Sequence, residues 1–507
     1  MLDSPPPASS SAIDPTDKTP WYREMTRYHW FVFMVAALGW LFDCLDQQLF
    51  TLARPTAMRD LLGVAEGNPQ IGEWGGYATT VFILGWATGG LIFGALGDRI
   101  GRAKTMLLTI LAYSICTGLS SLSVTVWDFM FYRFLTGLGV GGEFAVGVAL
   151  VAEVMPDRAR PRALSLLQAL SAIGNVSAAL IGWGLAPLEQ MGAITAWRVM
   201  FLIGALPALL ALVIRWKLKE PEKFQQAANR TETAGQRGSY AALFGDPRWR
   251  KNAIIGLFMA IPGVIGLWGI GFFSGDLTRV VFRKAVAERA YQVAIEKAEG
   301  DANKIALYEK QLAYETTFVP KDKRDPLSDS DTELAATVES EISGTLTYWQ
   351  SMTLLCMQLG AFLGMYSFGF MATKIGRRPT FLIAYLAAMI MTAFVFKNLS
   401  GPYDLWMLVL MGFFQLSLFA GYAIYFPEIF PTHLRSTGIS FCYNVGRYIA
   451  AFGPTVFGLL TARVFTGPGY PVPDNWRYAG MSMSCVFLIG IITLWFAPET
   501  KDKPLPE

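Results

Sequence analysis

The sequence predicts an all-α membrane protein in which twelve transmembrane helices form two pseudo-symmetric six-helix bundles. Three observations carry that expectation. Hydrophobic residues are 53% of the 507-residue chain and charged residues 16%, whereas soluble domains are roughly 25% charged. The charges collect in short loops and one long segment, leaving apolar runs of about 20 residues, the length of a helix that crosses the bilayer hydrocarbon. Two charged loop motifs also recur at one offset: Gly101 and Gly376 lie 275 residues apart, as do Glu153 and Glu428 (376 − 101 and 428 − 153).

The elements follow in order from run length. Residues 1–27 begin rich in Pro, Ser and Asp, with no basic region leading into an apolar core. They read as a disordered cytoplasmic tail and not as a cleavable signal. The first bundle, 28–217, holds spans at 29–52, 75–96, 105–123, 127–154, 163–187 and 197–217. A polar, basic linker covers 218–250. The second bundle, 251–498, holds spans at 251–273, 346–371, 379–397, 404–427, 437–463 and 478–497. It contains a polar insert at 274–344. Within the insert, 279–316 is rich in the helix formers Ala, Glu and Lys, and 320–335 is Pro/Asp/Ser-rich and reads as loop. Residues 499–507 form a short tail.

Orientation follows from the Lys/Arg bias of short loops. Arg99, Arg102 and Lys104 follow span two, Arg158, Arg160 and Arg162 follow span four, Lys374, Arg377 and Arg378 follow span eight, and Arg435 follows span ten. The loops after spans three and five carry no Lys or Arg. Both termini and the linker are therefore expected in the cytoplasm, the insert outside, and the whole chain in the cell (inner) membrane.

Composition also excludes function classes. A net charge of +3 is too small to imply nucleic acid. The five cysteines fall in apolar runs, so no disulfide framework is implied. His29 and His433 lack companions at ligand spacing, so no metal site is expected. Gly137, Gly139 and Gly142 match a dinucleotide fingerprint literally, but no strand precedes them. Small residues in an apolar helix allow close helix packing instead. No phosphate-binding loop and no catalytic constellation is present. The chain reads as a monomer and not an enzyme, without a cofactor, whose partners are a small-molecule substrate, protons and the bilayer.

The segment Gly97-Asp98-Arg99-Ile100-Gly101-Arg102-Ala103-Lys104 resembles the loop signature of the major facilitator superfamily. Arg133-Phe134-Leu135-Thr136-Gly137-Leu138-Gly139, Pro427-Glu428-Ile429-Phe430-Pro431 and Pro498-Glu499-Thr500-Lys501 resemble its sugar-porter and metabolite–proton symporter branches. Asp43-Cys44-Leu45-Asp46, Gly141-Gly142-Glu143-Phe144 and Gly174-Asn175 are similar to the aromatic-acid and sialate symporters. In the second loop Thr373 stands where the first has Asp98. The resemblance implies alternating access between two rocking halves, with Asp43 or Asp46 as proton carrier and Arg133 as its partner.

Ionisable residues at membrane depth cost about 2.5–3.5 kcal/mol on insertion scales, so each needs a reason. Asp43 and Asp46 lie three apart on one face of span one. A pair with Arg133 is either a proton switch or a static ion pair. Arg447 in span eleven, with Asn444 one turn before it, either binds a substrate carboxylate through its two-pronged fork or pairs with Glu143 or a backbone carbonyl. Gln168 and Asn175 lie seven apart on span five; they bond either substrate or a neighbouring helix. Gln47, Gln358 and Gln415 are further polar candidates, and Glu143 joins the substrate group. Asp98, Arg102, Glu153 and Arg158, with Arg377, Glu428 and Arg435 in the second half, read as rim ion pairs that hold the inner gate shut. The expected function is proton-coupled symport of a small carboxylate or acidic sugar. A neutral-sugar symporter and a transporter-like sensor without flux are the alternatives.

Overall fold

The computed structural model describes residues 20–64, 69–190, 196–229, 235–271, 273–298, 300–319, 323–467 and 469–506. Within them every regular element is helical. Residues 1–19 of the expected disordered tail lie outside the described residues. The rest of that tail is ordered: Trp21–Arg23 form a 3-10 turn, and Glu24 accepts a 2.9 Å ion pair from Arg158.

Spans one to four are the continuous helices α1 (Arg27–Leu62), α2 (Pro69–Ile100), α3 (Arg102–Ser120) and α4 (Val126–Val154). Span five is α5 (Arg160–Ala169) followed directly by α6 (Ser171–Gln190), and span six is α7 (Ala196–Gly204) and α8 (Ala208–Lys217), interrupted just before Pro207. Proline there has no N–H to continue the ladder. The linker is not featureless: it contains α9 (Glu222–Asn229) and α10 (Tyr240–Gly245). Span seven is α11 (Pro247–Ile265), a π-helical turn at Gly266–Gly271 and α12 (Phe273–Lys297). After α13 (Ala302–Thr316), α14 (Asp329–Ile375) is span eight, α15 (Arg377–Asn398) span nine and α16 (Trp406–Ile429) span ten. Span eleven is α17 (Arg435–Ala450) and α18 (Gly453–Leu459). Span twelve is α19 (Asp474–Met483) and α20 (Phe487–Thr493). Ten described helical stretches are long and apolar enough to cross a bilayer; spans six and eleven, each broken in the middle, complete the twelve.

Lipid offers no hydrophobic force between helices, so close backbone approach over small residues holds the bundles. Gly85 and Gly89 of α2 lie against the Phe134 and Leu138 backbone of α4, and Gly137 and Gly141 return the contact on Phe82 and Trp86. Of the fingerprint glycines, Gly137 belongs to this stripe, and Gly139 and Gly142 pack closely on Tyr113 and Phe93. The second bundle repeats it: Gly360 and Gly364 of α14 pack on Val409 and Phe413 of α16, and Gly412 packs on Met357. Each pair is related by the same 275-residue offset.

The insert differs from expectation. Residues 320–322 lie outside the described residues, but helix resumes at Asp329 within the segment read as loop. Ser328 caps it by accepting from Asp331 N at 3.2 Å, and Asp329 and Asp331 place negative charge on the first turn. The helices of spans seven and eight therefore run on beyond their apolar stretches and pack with α13 into a three-helix cap. At its centre Glu315 accepts from Arg283 at 2.6 Å and from Arg324 at 2.8 Å, and Arg283 also reaches Glu339 at 2.9 Å.

Candidate functional site

Span one carries two membrane carboxylates, Asp43 and Asp46, both buried. They face different neighbours. Asp46 accepts from Thr117 Oγ1 of α3 at 2.8 Å and lies 3.6 Å from Arg133 Nη1 of α4. That separation is an ion pair but too long for a hydrogen bond. Ser120 and Thr136 hold the other arms of Arg133 at 2.9 to 3.1 Å, and its plane sits over the Phe201 and Phe50 rings. Asp43 meets Glu143 of α4 with Tyr113 beside it. Among the described residues none of the four Asp43 and Glu143 carboxyl oxygens has a hydrogen-bond partner. Glu143, grouped with the substrate residues from sequence, thus lies against a proton candidate. Gly39 makes room for it, because a Cβ there would meet Glu143 Oε1.

Arg447 of α17 is 5% exposed and bonds through Nη1 to Asn444 Oδ1. Its guanidinium is sandwiched between Trp86 of α2 at 4.1 Å and Tyr443 at 4.3 Å. No carboxylate pairs with it among the described residues, and its Nε has no hydrogen-bond partner. The walls are aromatic. Tyr443 stacks on Phe144 at 4.2 Å, Phe144 lies 4.7 Å from Trp40, and Trp86 meets Trp268 of the π turn edge-on at 6.1 Å. Buried polar tips without described partners come from both halves: Trp40 Nε1, Trp86 Nε1 and Gln168 Oε1 from the first, and both amide atoms of Gln415 from the second. Gln47, Asn175 and Gln358 are only half-buried, and no described side-chain hydrogen bond ties them to this cluster. The tryptophans were absent from the sequence-derived site.

At the basic-loop end the two halves lock. Arg102 makes ion pairs with Asp98 at 2.9 Å and Glu153 at 2.8 Å, and donates across the halves to Thr432 O at 2.6 Å. Arg435 of the second half returns to Glu153 at 2.7 Å. Asp98 accepts from Ser436 N, Thr437 N and Thr437 Oγ1 at 3.2, 2.8 and 2.6 Å. Leu434, before α17, offers no capping side chain, so the other half supplies the cap to a helix start with unpaired N–H groups. Phe224 of α9 covers the Arg102 guanidinium at 4.6 Å. In the second half Arg377 pairs with Glu428 at 2.7 Å, but Glu428 takes its other described bond from Thr500 of the C-terminal tail at 2.6 Å. Thr373 bonds only within its own helix, to Phe370 O. Arg158 pairs with Glu24 at 2.9 Å and makes no ion pair with the rim carboxylates among the described residues. Arg160, at the 275 offset from Arg435, bonds Asp157 and Ala152 O. Glu220 and Glu499, missed from sequence as rim residues, accept the first N–H groups of α3 and α15 at 3.0 to 3.2 Å.

This arrangement repeats in both halves around one axis of crossing helices: Gly94 of α2 meets Ser440 of α17, and Gly369 of α14 meets Ser165 of α5, again 275 apart. The family model for the Major Facilitator Superfamily matches residues 36–283 and 333–507. The chain belongs to the Major Facilitator Superfamily. It is therefore a multi-pass membrane transporter of small metabolites and not an enzyme. As a facilitator it is 27% identical, over 95% of its length and 99% of the relative's, to a putative metabolite transport protein of Haemophilus influenzae. It is 27% identical to the cis,cis-muconate transport protein of Acinetobacter baylyi, over 83% and 84% of the two chains. Its fold matches the proton:xylose symporter XylE bound to 6-bromo-6-deoxy-D-glucose with a TM-score of 0.61 at 16% identity, over 94% and 98% of the two chains. The family match leaves out most of the insert.

Proposed function

We propose that this facilitator is a proton-coupled symporter that imports a small organic carboxylate with an unsaturated or aromatic body. One observation carries the reading: Arg447 is buried at membrane depth, pressed between two rings, without a carboxylate against it. A buried guanidinium is tolerated when an anion or polar cavity receives it, and its planar fork matches a carboxylate. The walls of Trp40, Trp86, Phe144 and Tyr443 suit a flat, apolar cargo. The muconate transporter among the relatives supports the same class. A neutral sugar leaves Arg447 without its counter-ion, which argues against the sugar reading.

Coupling resides on span one. Protonation of Asp46 removes the charge that faces Arg133, freeing α1 from α4. Asp43 and Glu143 are acceptors only while ionised; a proton shared between them supplies the donor that both lack. The positive-inside bias makes the locked end cytoplasmic, so this conformation has its inner gate shut and the cap stands outside.

Uptake into proteoliposomes with an imposed pH gradient tests the proposal, using labelled benzoate, nicotinate, cis,cis-muconate and xylose. At least one carboxylate accumulates against its gradient and xylose does not. Asp46→Asn stops uphill uptake and keeps exchange. Carboxylate uptake indifferent to the pH gradient in the unmodified protein would reject coupling.

A further inference from the structure

The rim arginines at the basic-loop end are bonded to protein acceptors. Arg250 and Lys251 are different. Both are exposed, and neither makes a side-chain hydrogen bond or ion pair with a described residue. They line a cavity of about 330 Å³ between α11 and the end of span twelve, whose other walls are Pro247, Ile254, Ile255 and Phe496. The α11 residues recur at three- and four-residue intervals, so one helix face carries two cations and, one turn deeper, an apolar floor. The cavity wall Phe496 is 63% exposed, and further along the same two spans Phe258 is 45% and Ile492 60% exposed. Trp495, 79% exposed, stands beside Phe496, as expected of an aromatic anchor at the headgroup level. The nearby carboxylate, Asp246, is bonded to Arg248 N at 2.8 Å as the cap of α11. Arg248 itself lies over Trp249 at 4.5 Å and does not line the cavity.

We propose that this cavity is a binding site for one anionic phospholipid. The phosphodiester sits between the Arg250 guanidinium and the Lys251 ammonium, and an acyl chain follows Ile254 and Phe496 toward Phe258 and Ile492. Two adjacent cations demand an anion, and the apolar walls one turn deeper demand a hydrocarbon tail. A free phosphate meets the first demand only. A zwitterionic phosphatidylcholine meets the second but brings its own cation to the phosphate. Basic pockets between spans on the cytoplasmic side are where acidic headgroups lodge. The occupant would brace the foot of span seven, whose π turn carries Trp268 to the central site.

Native mass spectrometry of the full chain, released from detergent with equal phosphatidylglycerol and phosphatidylcholine, tests the site. Phosphatidylglycerol is retained in preference, and the doubly substituted Arg250→Gln/Lys251→Gln protein loses that retention by roughly tenfold or more. Arg248→Gln, which removes one cation of the same helix end without lining the cavity, leaves it unchanged. Ile254→Trp keeps both cations but fills the groove, and also loses the lipid. Thermal unfolding in detergent reports that each variant is folded. A loss of retention from Arg248→Gln means diffuse attraction to a basic rim and overturns the proposal. So does retention in the double variant, or a phosphatidylglycerol preference that inorganic phosphate displaces as well from Ile254→Trp as from the unmodified protein.

Discussion

The rim and the middle of the molecule treat buried charge in opposite ways. At the rim every arginine of the lock is saturated: Arg102 has two carboxylates and two carbonyls, and Arg435 has a carboxylate and two carbonyls. In the middle, Arg133 keeps one arm without a hydrogen bond, Asp43 and Glu143 have no donor, and Arg447 has no counter-ion. Saturated buried charges hold a structure in one state, because breaking such a pair strands its partner. Under the proposed function, the unsaturated ones are where a proton or cargo would complete the set. The contrast separates the lock from the load.

Substitutions at the two levels should therefore fail differently. Arg102→Leu takes from Asp98 its only described cation and leaves Glu153 with Arg435 alone, and should cost about 3–5 kcal/mol of stability, read as a large drop in detergent unfolding temperature. Arg447→Leu strands no charge, only the Asn444 Oδ1 that it bonds, so unfolding temperature should fall far less than for Arg102→Leu, while carboxylate affinity falls roughly a hundredfold. A matching drop in stability for Arg447→Leu would erase the distinction. Asp98→Ala removes the cross-half cap of α17 and should open the rim, read as faster alkylation of cysteines placed at its inner face. Thr373→Asn, at the related position that bonds only its own helix, should leave that rate unchanged. The smallest effect belongs to the cap. Burial alone pushes the Glu315 carboxyl up, but hydrogen bonds and charge from Arg283 and Arg324 overcome this and hold it below the usual range. A lowered folded value means the charge stabilises the cap fully above the ordinary carboxylate range and is lost as pH falls through it. Hydrogen exchange in α13 should accelerate only at a pH below the ordinary carboxylate range, with the spans unaffected.

Much of this was legible in the sequence. Charges in apolar runs are expensive enough to stand out, which located Asp43, Asp46, Arg133 and Arg447. The repeat offset located both rim loops. What stayed hidden depends on helix rotation and on shared composition. Asp43 and Asp46 share a face of α1, so spacing alone does not say which one meets Arg133; the placement of Thr117, Arg133 and Glu143 around α1 decides it. Tryptophans occur on every face: Trp86 is 3% exposed and Trp183 is 78% exposed, and nothing in their runs separates wall from lipid anchor. Arg158, Arg160 and Arg162 look alike in one loop, and only the 275 offset from Arg435 singles out Arg160. The helix start at Asp329 was masked by Pro/Asp/Ser composition that serves here as a cap.

The central claim is that Arg447 is held open for an anion, and ligand pairs that differ only in charge test it most directly. Tryptophan fluorescence of the purified protein, with Trp86 stacked on Arg447, should respond saturably to an aromatic or olefinic carboxylate and not to its neutral amide. The response should vanish in Arg447→Gln while that variant keeps its unfolding temperature. Equal binding of acid and amide, or binding that survives Arg447→Gln, would contradict the account.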